Sequence, residues 1–589
     1  KTLSVQLINK AMKGSSSNNF FFKKYPRIIL TLYQGTLSST SKGIENTFIQ
    51  AKEKYEKINE ESKADNISLI FFDQIGITEF SKNNPLSIIN DHLEEFDERK
   101  NKISFVGISN WALDPSKMNR GLNLFICEPT EEDLKCSAFT IGESYDKNLV
   151  SKYKVFYKGL SSAYYKYKRY LKRTHKKDGK EDFHGIIDFY SLIKYCTKEL
   201  IKNNIKKEED IAFLGLERNF SGFKFIPENS DKESTSIEMI KKFYSRNCND
   251  NNYNALERIK ENIDDIESRY LLAISKSSTS IFLLSEILSK MNKNYNLIFG
   301  SQLYGDYNSE EYSTKILNKI KLYMEEGKIL ILKNLEHIYP ALFELFNRNF
   351  IKINEKNYLS ITMSSSENKQ FLVNDEFRCI ISVNYEQISQ EETSFINRFE
   401  KHIISFDYLL SNNLEYKSRL IFDKLKEMIS LDKNVYKGIN YELKNLFINF
   451  DLEEIQGIIY QAGKKGVKRG ELINEVISKM SLTLPQDIIL CLKLNGFYVK
   501  YPELKDKILE EYNKGEHHNL KRFLESMTYL KNVVYTYTNN LEEIKNLKDI
   551  KNEKFGEISL ENIKEIKISS CKSENDLEKE IDEFYNEDK

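Results

Sequence analysis

The 589-residue sequence is poor in cysteine, proline and tryptophan, and it has neither an excess of one charge nor a long apolar run. Its seven cysteines form no Cys-x-x-Cys pair, which argues against both a disulfide framework and a structural zinc site. We therefore expect a reduced, cytoplasmic setting. Acidic and basic residues number 88 each, so no global field draws the chain to nucleic acid or to an acidic membrane.

Continuous apolar segments are short throughout. The longest, at 68–72 and 329–332, fall far short of the roughly 20 residues that a membrane-spanning helix needs, and the N-terminus shows no signal-peptide pattern. We therefore predict no transmembrane segment. The length exceeds the roughly 250 to 300 residues at which single cores stop growing, which predicts several domains. Because the chain opens on Lys1 and not on methionine, we also expect a fragment.

Short β-rich segments alternate with helical segments in the first part of the chain. This alternation is typical of an α/β fold with a parallel sheet, whose buried strands appear as continuous apolar runs. Helical spacing then continues from about 146 to 211 without a strand, which predicts a helical lid. The predicted strands are 27–33, 67–72, 103–108 and 123–127, and the predicted helices are 3–13 and 42–62.

The same order then returns, so the sequence contains an internal repeat of sheet, lid, sheet and lid. The strands predicted in the second copy are 270–274, 296–299, 328–332 and 378–383, and a second helical region runs from about 418 to 530. The predicted domains are an α/β subdomain at 1–145, its lid at 146–215, a second α/β subdomain at 216–410, its lid at 411–530, and a linker with the start of a third unit at 531–589.

Two separated motifs in the first unit fit a P-loop nucleotide site. A P-loop ends in a lysine that reaches the phosphates and a serine or threonine that binds magnesium at a helix start, and Lys1-Thr2 has these two letters. About 70 residues later a buried strand ends in Asp73, which is placed as a Walker B acid would be. The pair predicts binding of ATP with Mg²⁺, the metal being held by Thr2 and Asp73. The alternative for Asp73 is a helix cap.

Three further residues extend this site. Asn110 follows the strand 103–108, where such ATPases place a polar sensor of the attacking water, and Arg120 lies where an arginine finger toward a preceding module would be. Gln74 stands where glutamate is usual, and an amide can orient water but cannot take its proton. Hydrolysis should therefore be slow unless Glu79 substitutes. A turn residue at 110 and a surface cation at 120 are the alternatives.

The second unit retains less of this pattern. Its loop SKSSTS at 275–280 has no glycine, and its strand ends in Lys333-Asn334-Leu335-Glu336 with no acid at the metal position, which predicts a dead site. Arg398 keeps the finger position, and we predict that it completes the site of Lys1 and Asp73. The alternative is that Arg398 pairs with Glu400 or with a carbonyl.

One stretch, 154–180, is rich in lysine, arginine and tyrosine, a composition found on nucleic-acid-binding faces. A lid helix with a solvated basic side and tyrosines packed beneath it explains the same composition. We favour this second interpretation, and so find no strong signal for a nucleic-acid partner.

Longer strings surround these motifs, in order from residue 1 to about 540: FVGISNWALDPSKMNRGL, FHGIIDFYSLIKY, ERNFSGF, NLIFGSQL, MEEGKILILKNLEHIY, FRCIISV and INRFEKH. Together they resemble the mysterin family of giant AAA+ RING-type ubiquitin ligases. The resemblance implies tandem AAA+ P-loop modules, each an α/β subdomain plus a helical lid, at the third and fourth positions of a six-module core. Neighbouring AAA+ modules of the same polypeptide would then be partners.

The resemblance also assigns roles within the first unit. It places the Walker A lysine at Lys1, the Walker B acid at Asp73 and the sensor at Asn110. Gln74 and Ile187 stand where the family has glutamate and a lid arginine, and both changes remove charge from the ATP site. The ligase chemistry of the family lies far C-terminal, so ubiquitin transfer and an E2 ubiquitin-conjugating partner are implied for the parent protein alone.

Three functions remain open from the sequence. The first is an ATP-binding motor core whose nucleotide state controls the conformation of an attached ligase. The second is an ATP-locked scaffold with little or no hydrolysis, which Gln74 favours. The third is a tandem AAA+ mechanical motor of the dynein or midasin type.

Overall fold

The structure is a computed structural model, and it describes most of the first two thirds of the chain together with a short C-terminal part. The described residues are 2–35, 39–61, 65–81, 83–94, 103–110, 112–119, 121–174, 181–202, 207–225, 234–244, 255–275, 280–307, 309–362, 368–385, 388, 393–406, 410, 412–429, 452–464, 472, 476–477, 502, 566 and 570–587.

A three-stranded parallel sheet forms the first α/β unit. Its strands are β1 (Arg27–Gln34), β2 (Asn66–Asp73) and β3 (Ile103–Gly107), in the order β1-β2-β3. The central strand β2 is buried along nearly all of its length, which is why its sequence is a continuous apolar run. The helices of this unit are α1 (Thr2–Ala11), α2 (Ser41–Glu61), α3 (Ile75–Thr78), α4 (Ser87–Glu94) and α5 (Pro115–Met118), with 3-10 turns at Gly14–Ser16 and Phe22–Lys24.

A helical region follows and corresponds to the predicted lid. Helix α8 buries Tyr157, Tyr164 and Tyr167 at helical spacing, so the tyrosines of the basic stretch pack inward as core residues. The first helix, α6, packs against α8 and α9 although it precedes residue 146. The helices are α6 (Glu131–Tyr145), α7 (Lys147–Lys152), α8 (Lys154–Thr174), α9 (Ile186–Lys202) and α10 (Glu208–Asn219).

A five-stranded parallel sheet forms the second α/β unit, after the small antiparallel pair β4 (Lys224–Phe225) and β5 (Ser234–Thr235) and the helices α11 (Ser236–Tyr244) and α12 (Ala255–Asp264). Its strand order is β13-β6-β12-β8-β7. The strands are β6 (Leu271–Ser275), β7 (Tyr295–Phe299), β8 (Ile329–Lys333), β12 (Arg378–Asn384) and β13 (Glu400–Ile403). The helices are α13 (Ser280–Lys290), α14 (Tyr304–Tyr307), α15 (Glu310–Glu326), α16 (Phe343–Phe346) and α17 (Thr393–Ile396), with a 3-10 turn at Tyr339–Leu342.

An antiparallel sheet, β11-β10-β9, is inserted between β8 and β12 and was missed by the sequence analysis. Its strands are β9 (Ile351–Ile353), β10 (Lys356–Thr362) and β11 (Asn368–Val373). Asn354 and Glu355 join β9 to β10 with φ of 49° and 64°, the backbone of a tight two-residue hairpin turn.

The predicted strand at 123–127 is wrong. Residues 122–130 form neither helix nor strand, and Leu124 and Phe125 are 82% and 75% exposed. The corresponding strand of the second unit, β13, pairs with β6, the strand that leads into the loop 275–280. A strand forms only beside a partner that completes its hydrogen bonds, and 123–127 has no such partner among the residues that the structure describes.

The C-terminal part contributes three described helices. They are α18 (Asn412–Ile429), α19 (Leu452–Lys464) and α20 (Glu574–Glu587). The start of α20 contacts the second unit, since Glu574 N donates to Asp306 Oδ2 at 2.7 Å. Residues 531–565, in the predicted linker and third unit, lie outside the described residues. No helix among those described combines the length and the apolar character needed to cross a membrane.

One large hydrophobic cluster joins the lid helices α8 to α10 to one face of the second sheet, and it includes Ile77 of α3 in the first unit. A second cluster covers the other face of that sheet beneath α12, α13, α18 and α19. The first sheet has its own smaller core with α2 and α4. Ile77, just after the carboxyl end of β2, therefore packs into a core that the lid shares with the second unit.

Candidate functional site

The carboxyl ends of β2 and β8 have the same backbone geometry. Gln74, the residue after β2, has a φ of 58°, and Asn334, the residue after β8, also has a φ of 58°. This left-handed conformation is uncommon outside glycine. Asp73 and Lys333, which precede them, are therefore structurally equivalent, and the repeat inferred from the sequence extends to the geometry of this corner.

A glycine packs against each of these corners. Gly35 N donates to Asp73 O at 2.8 Å, and Gly300 N donates to Lys333 O at 2.8 Å. A Cβ on Gly35 would lie 2.5 Å from Gln74 O, and a Cβ on Gly300 would lie 1.7 Å from Asn334 O. Neither position has room for a side chain, so both corners need glycine.

The two units differ in the charge at this corner. Asp73 is buried, and its Oδ1 accepts a hydrogen bond from Gln74 N at 3.0 Å. Lys333 occupies the equivalent place in the second unit, where burial lowers the pKa of its ammonium group. Magnesium takes oxygen ligands and avoids a cation. The donor set therefore suits Mg²⁺ in the first unit and does not suit it in the second.

The structure brings the predicted sensor to the predicted water-orienting residue. Asn110 Nδ2 donates to Gln74 Oε1 at 3.4 Å. Ile108 N donates to Phe72 O at 2.9 Å, and Ile75 N donates to Ile108 O at 3.0 Å, so the chain after β3 stays beside the end of β2. The amide side chains of Gln74 and Asn110 thus lie together at the end of β2. An amide can orient a water molecule but cannot accept its proton.

Glu79, the acid considered as a substitute for Walker B glutamate, is engaged elsewhere. Its Oε1 accepts hydrogen bonds from Lys117 Nζ at 3.0 Å and from Asp114 N at 2.9 Å. Asp114 is the N-cap of α5, and Lys117 lies within that helix. Because these contacts occupy the carboxylate, the geometry does not favour Glu79 as the proton acceptor.

Arg398 is buried in the turn after α17. Its Nη1 donates to Phe343 O at 3.4 Å, and its guanidinium carbon lies 4.0 Å from the centre of the Phe343 ring. Glu400, the alternative partner, instead binds Arg218 through two hydrogen bonds of 2.9 Å. The contact to Phe343 O, long at 3.4 Å, matches the alternative that Arg398 pairs with a carbonyl, and the finger role stays a prediction.

Glu344, in α16, was missed by the sequence analysis. Burial raises the pKa of its carboxyl group, Asn349 lowers it through a hydrogen bond, Asp73 raises it further and Arg398 lowers it. Glu344 is therefore within electrostatic reach of both Asp73 in the first unit and Arg398 in the second. No local motif marks this acid, because only packing between the units brings it here.

The remaining predicted residues are placed as follows. Lys1 and Arg120 lie outside the described residues, and so do Lys276 and Ser277 of the second-unit loop. Thr2 is the first residue of α1, so the predicted magnesium ligand stands at a helix start. Their roles in the site stay predictions.

Comparisons with known proteins agree with the repeat. Residues 1–133 and residues 260–410 each match a family model described as RNF213 AAA domain. The models are numbered 4 and 5 in chain order, and the placement at the third and fourth modules stays a prediction.

Curated relatives match most of the chain. E3 ubiquitin-protein ligase RNF213 of Mus musculus is 26% identical over 559 residues, which are 89% of this chain and 10% of the relative. The Homo sapiens protein of the same name is 27% identical over 507 residues, 82% of this chain and 9% of the relative. E3 ubiquitin-protein ligase rnf213-beta of Danio rerio is 27% identical over 487 residues, 79% of this chain and 9% of the relative. The chain thus spans about one tenth of the length of these relatives.

Proposed function

We propose that this chain, which belongs to the mysterin family and contains two segments that match AAA domains of that family, binds one ATP with Mg²⁺ between its two units. Lys1 would contact the phosphates, and Thr2 and Asp73 would hold the metal. The nucleotide supplies the terminal phosphate that hydrolysis transfers to water. Arg398 of the second unit would contact that phosphate, and Arg120 would serve a preceding module in the same way.

The contact between Asn110 and Gln74 beside buried Asp73 is the observation that supports this proposal most directly. It joins the ends of two neighbouring parallel strands, the edge at which α/β sheets bind ligands. The second unit has the same corner with Lys333 in place of the acid. We infer that its role is to complete the first site and not to bind a second magnesium ion.

Hydrolysis at this site should be slow. Gln74 and Asn110 orient a water molecule through amide groups, and neither can accept its proton. Positioning and the charge of Arg398 still favour phosphoryl transfer. A motor with slow turnover and a scaffold locked by ATP are both consistent with this arrangement, and the measured rate of phosphate release distinguishes them. The family assignment leaves no support for a motor of the dynein or midasin type.

In the complete polypeptide, we propose that the nucleotide state of this pair sets the conformation of an attached E3 ubiquitin ligase. The names of the relatives support a ligase elsewhere in the parent protein. An E2 ubiquitin-conjugating enzyme would be its partner there, and neighbouring AAA modules would be the direct partners of this chain.

The test measures ATP binding and phosphate release in the polypeptide that contains this chain. Asp73→Asn should abolish the Mg²⁺-dependent ATP binding of this site. The difference in ATP binding between wild type and this variant therefore measures the contribution of this site alone. Gln74→Glu should raise phosphate release by about tenfold or more, since a general base contributes on the order of 100-fold or more to such steps.

Glu79→Gln is the matched control, because it neutralises an acid of the same segment that is bound to Lys117. It should leave phosphate release unchanged, whereas a loss would identify Glu79 as the base. ATP binding that survives Asp73→Asn undiminished would overturn the site. Equal rates for wild type and Gln74→Glu would refute the role given to Gln74. Retained ATP with negligible release in wild type would favour the scaffold.

A further inference from the structure

The residue before Arg398 is bound to the lid of the first unit. Asn397 Oδ1 accepts a hydrogen bond from Gly185 N at 3.0 Å, and Asn397 Nδ2 donates to Asp182 O at 2.9 Å. Both partners immediately precede α9. One side chain of the second unit thus binds two backbone groups beside the start of a lid helix. Gly185 and Asn397 are 212 positions apart in the sequence.

The fit at Gly185 is close. A Cβ at this position would lie 2.8 Å from Asn397 Nδ2 and 2.9 Å from Asn397 Cγ. Any larger residue at 185 would therefore displace the amide. The position of Asn397 is set by the lid backbone on one side and by its own turn on the other.

A buried ion cluster holds the same lid end and the same turn together. Lys401 Nζ donates to both carboxylate oxygens of Asp188 at 2.9 Å, and the two side chains are fully buried. Arg269 Nη1 donates to Asp188 Oδ1 at 2.8 Å and to Asn397 O at 3.3 Å. Separating the partners would leave buried charges unpaired, which is costly. The cluster therefore keeps the start of α9 close to the turn that carries Asn397, and the Asn397 side chain fixes their relative position.

Arg398 is the next residue of that turn. Its N–H donates to Phe395 O at 3.1 Å, while its guanidinium lies over Phe343 near Glu344. Consecutive Cα atoms are about 3.8 Å apart across a trans peptide, so a shift of Asn397 necessarily displaces Arg398. On one side of the turn, the guanidinium of Arg398 contacts the carbonyl and the ring of Phe343. On the other side, Asn397 binds the lid.

We propose that Asn397 is a positioning residue that couples the orientation of lid helix α9 to the reach of Arg398 toward the terminal phosphate of ATP. This inference rests on the proposed function, because it takes Arg398 as the residue that contacts that phosphate. Ile187 lies between the two lid contacts, Gly185 and Asp188, and is exposed. The lid thus has no cation at position 187. The hydrogen bonds of Asn397 link the movement of the lid to Arg398, a cation of the second unit.

The test compares ATP and ADP affinities in the polypeptide that contains this chain. Only the binding that is lost in Asp73→Asn is assigned to this site. Arg398→Ala should lower ATP affinity on the order of tenfold and leave ADP affinity unchanged, because a finger contacts the terminal phosphate alone. Asn397→Ala should produce the same selective loss. The double variant should lose no more than either single variant, since both changes remove one interaction.

Thr197→Val is the matched control. Thr197 is a buried residue of α9, and its hydroxyl shares a hydrogen bond of 2.9 Å with Tyr157 OH inside the lid. It should reduce thermal stability and leave the preference for ATP over ADP at the wild-type value. Gly185→Ala, which displaces Asn397 from the lid side, should reproduce the selective loss and serves if Asn397→Ala does not fold.

Each outcome decides between the two levels of the proposal. If Arg398→Ala reduces the ATP preference and both Asn397→Ala and Gly185→Ala retain it, the coupling is refuted and the proposed site remains. If Arg398→Ala itself retains the preference, the finger role of Arg398 and the coupling both fall, whereas ATP binding at Asp73 is tested separately by Asp73→Asn. An equal loss in Thr197→Val would show that general weakening of the lid explains the effect, and would also overturn the coupling.

Discussion

The buried cluster of Asp188, Lys401 and Arg269 predicts an asymmetric response to removal of its charges. Asp188→Asn keeps the shape of the side chain and an oxygen for Gly185 N, which now donates to Asp188 Oδ2 at 2.8 Å. It leaves two cations without their anion, Lys401 at 0% and Arg269 at 13% side-chain exposure. An uncompensated buried charge of this kind costs about 3 to 5 kcal/mol.

Lys401→Met should cost less. Asp188 would keep the ion pair with Arg269, whose Nη1 is 2.8 Å from Asp188 Oδ1. What is lost is the contact of one ammonium group, which donates to both oxygens of Asp188, and we take this contact as a single charged interaction of about 1.5 to 3 kcal/mol. The pKa of Asp188 supports this ranking: burial opposes its charge, yet Lys401 and then Arg269 lower that pKa below the usual value. The carboxylate is therefore the centre of the cluster, and each cation is a partial partner.

Hydrogen exchange of the amides in α9 is the suitable assay, because it reports the opening free energy of that helix in a protein too large for two-state unfolding. Protection should fall more in Asp188→Asn than in Lys401→Met, by at least about 1 kcal/mol in opening free energy. Lys135→Met is the control on the same lid, since its ion pair with Glu131 is partly exposed and should contribute at most about 1 kcal/mol. A loss in Lys401→Met as large as that in Asp188→Asn would refute the reasoning.

Two further predictions concern the corner at β2 and the pH response of the lid. Gly35→Ala should destabilise the first unit and weaken its ATP binding, because the new Cβ would lie 2.5 Å from Gln74 O. Thermal unfolding and ATP binding measure the two effects. Gly121→Ala is the control, since its Cβ would meet no atom within 4 Å, and it should change neither quantity. Burial lowers the pKa of His184 to about 3 from 6.5, so the folded lid binds its proton less readily than the unfolded chain does. The free energy of unfolding should therefore fall as the pH drops below 6.5, by about 1.4 kcal/mol per pH unit from this group. Hydrogen exchange of α9 in His184→Gln should depend less steeply on pH than in wild type. An unchanged pH dependence would contradict the lowered pKa of His184.

The positions of some candidate site residues could be predicted because their sequence signals are local. Asp73 ends a continuous apolar run and Asn110 follows the next run, and parallel strands bring such ends to one edge of a sheet. Arg398 was identified by its resemblance to a finger string. Its surroundings were not predictable, since Phe343 and Glu344 come from a short helix that has no motif.

The sequence by itself determined the repeat, the parallel strands, the acid at position 73 and the lysine, Lys333, at the equivalent place in the second unit. These features depend on residue type and on short-range periodicity, which a single chain segment records. Only the tertiary structure decided that 123–127 forms no strand, that Glu344 lies near Asp73, and that Asn397 binds the lid. The reason is physical: strand pairing and contacts across 200 or more positions depend on which surfaces pack together, and the hydrophobic cluster shared by lid and second sheet sets that packing.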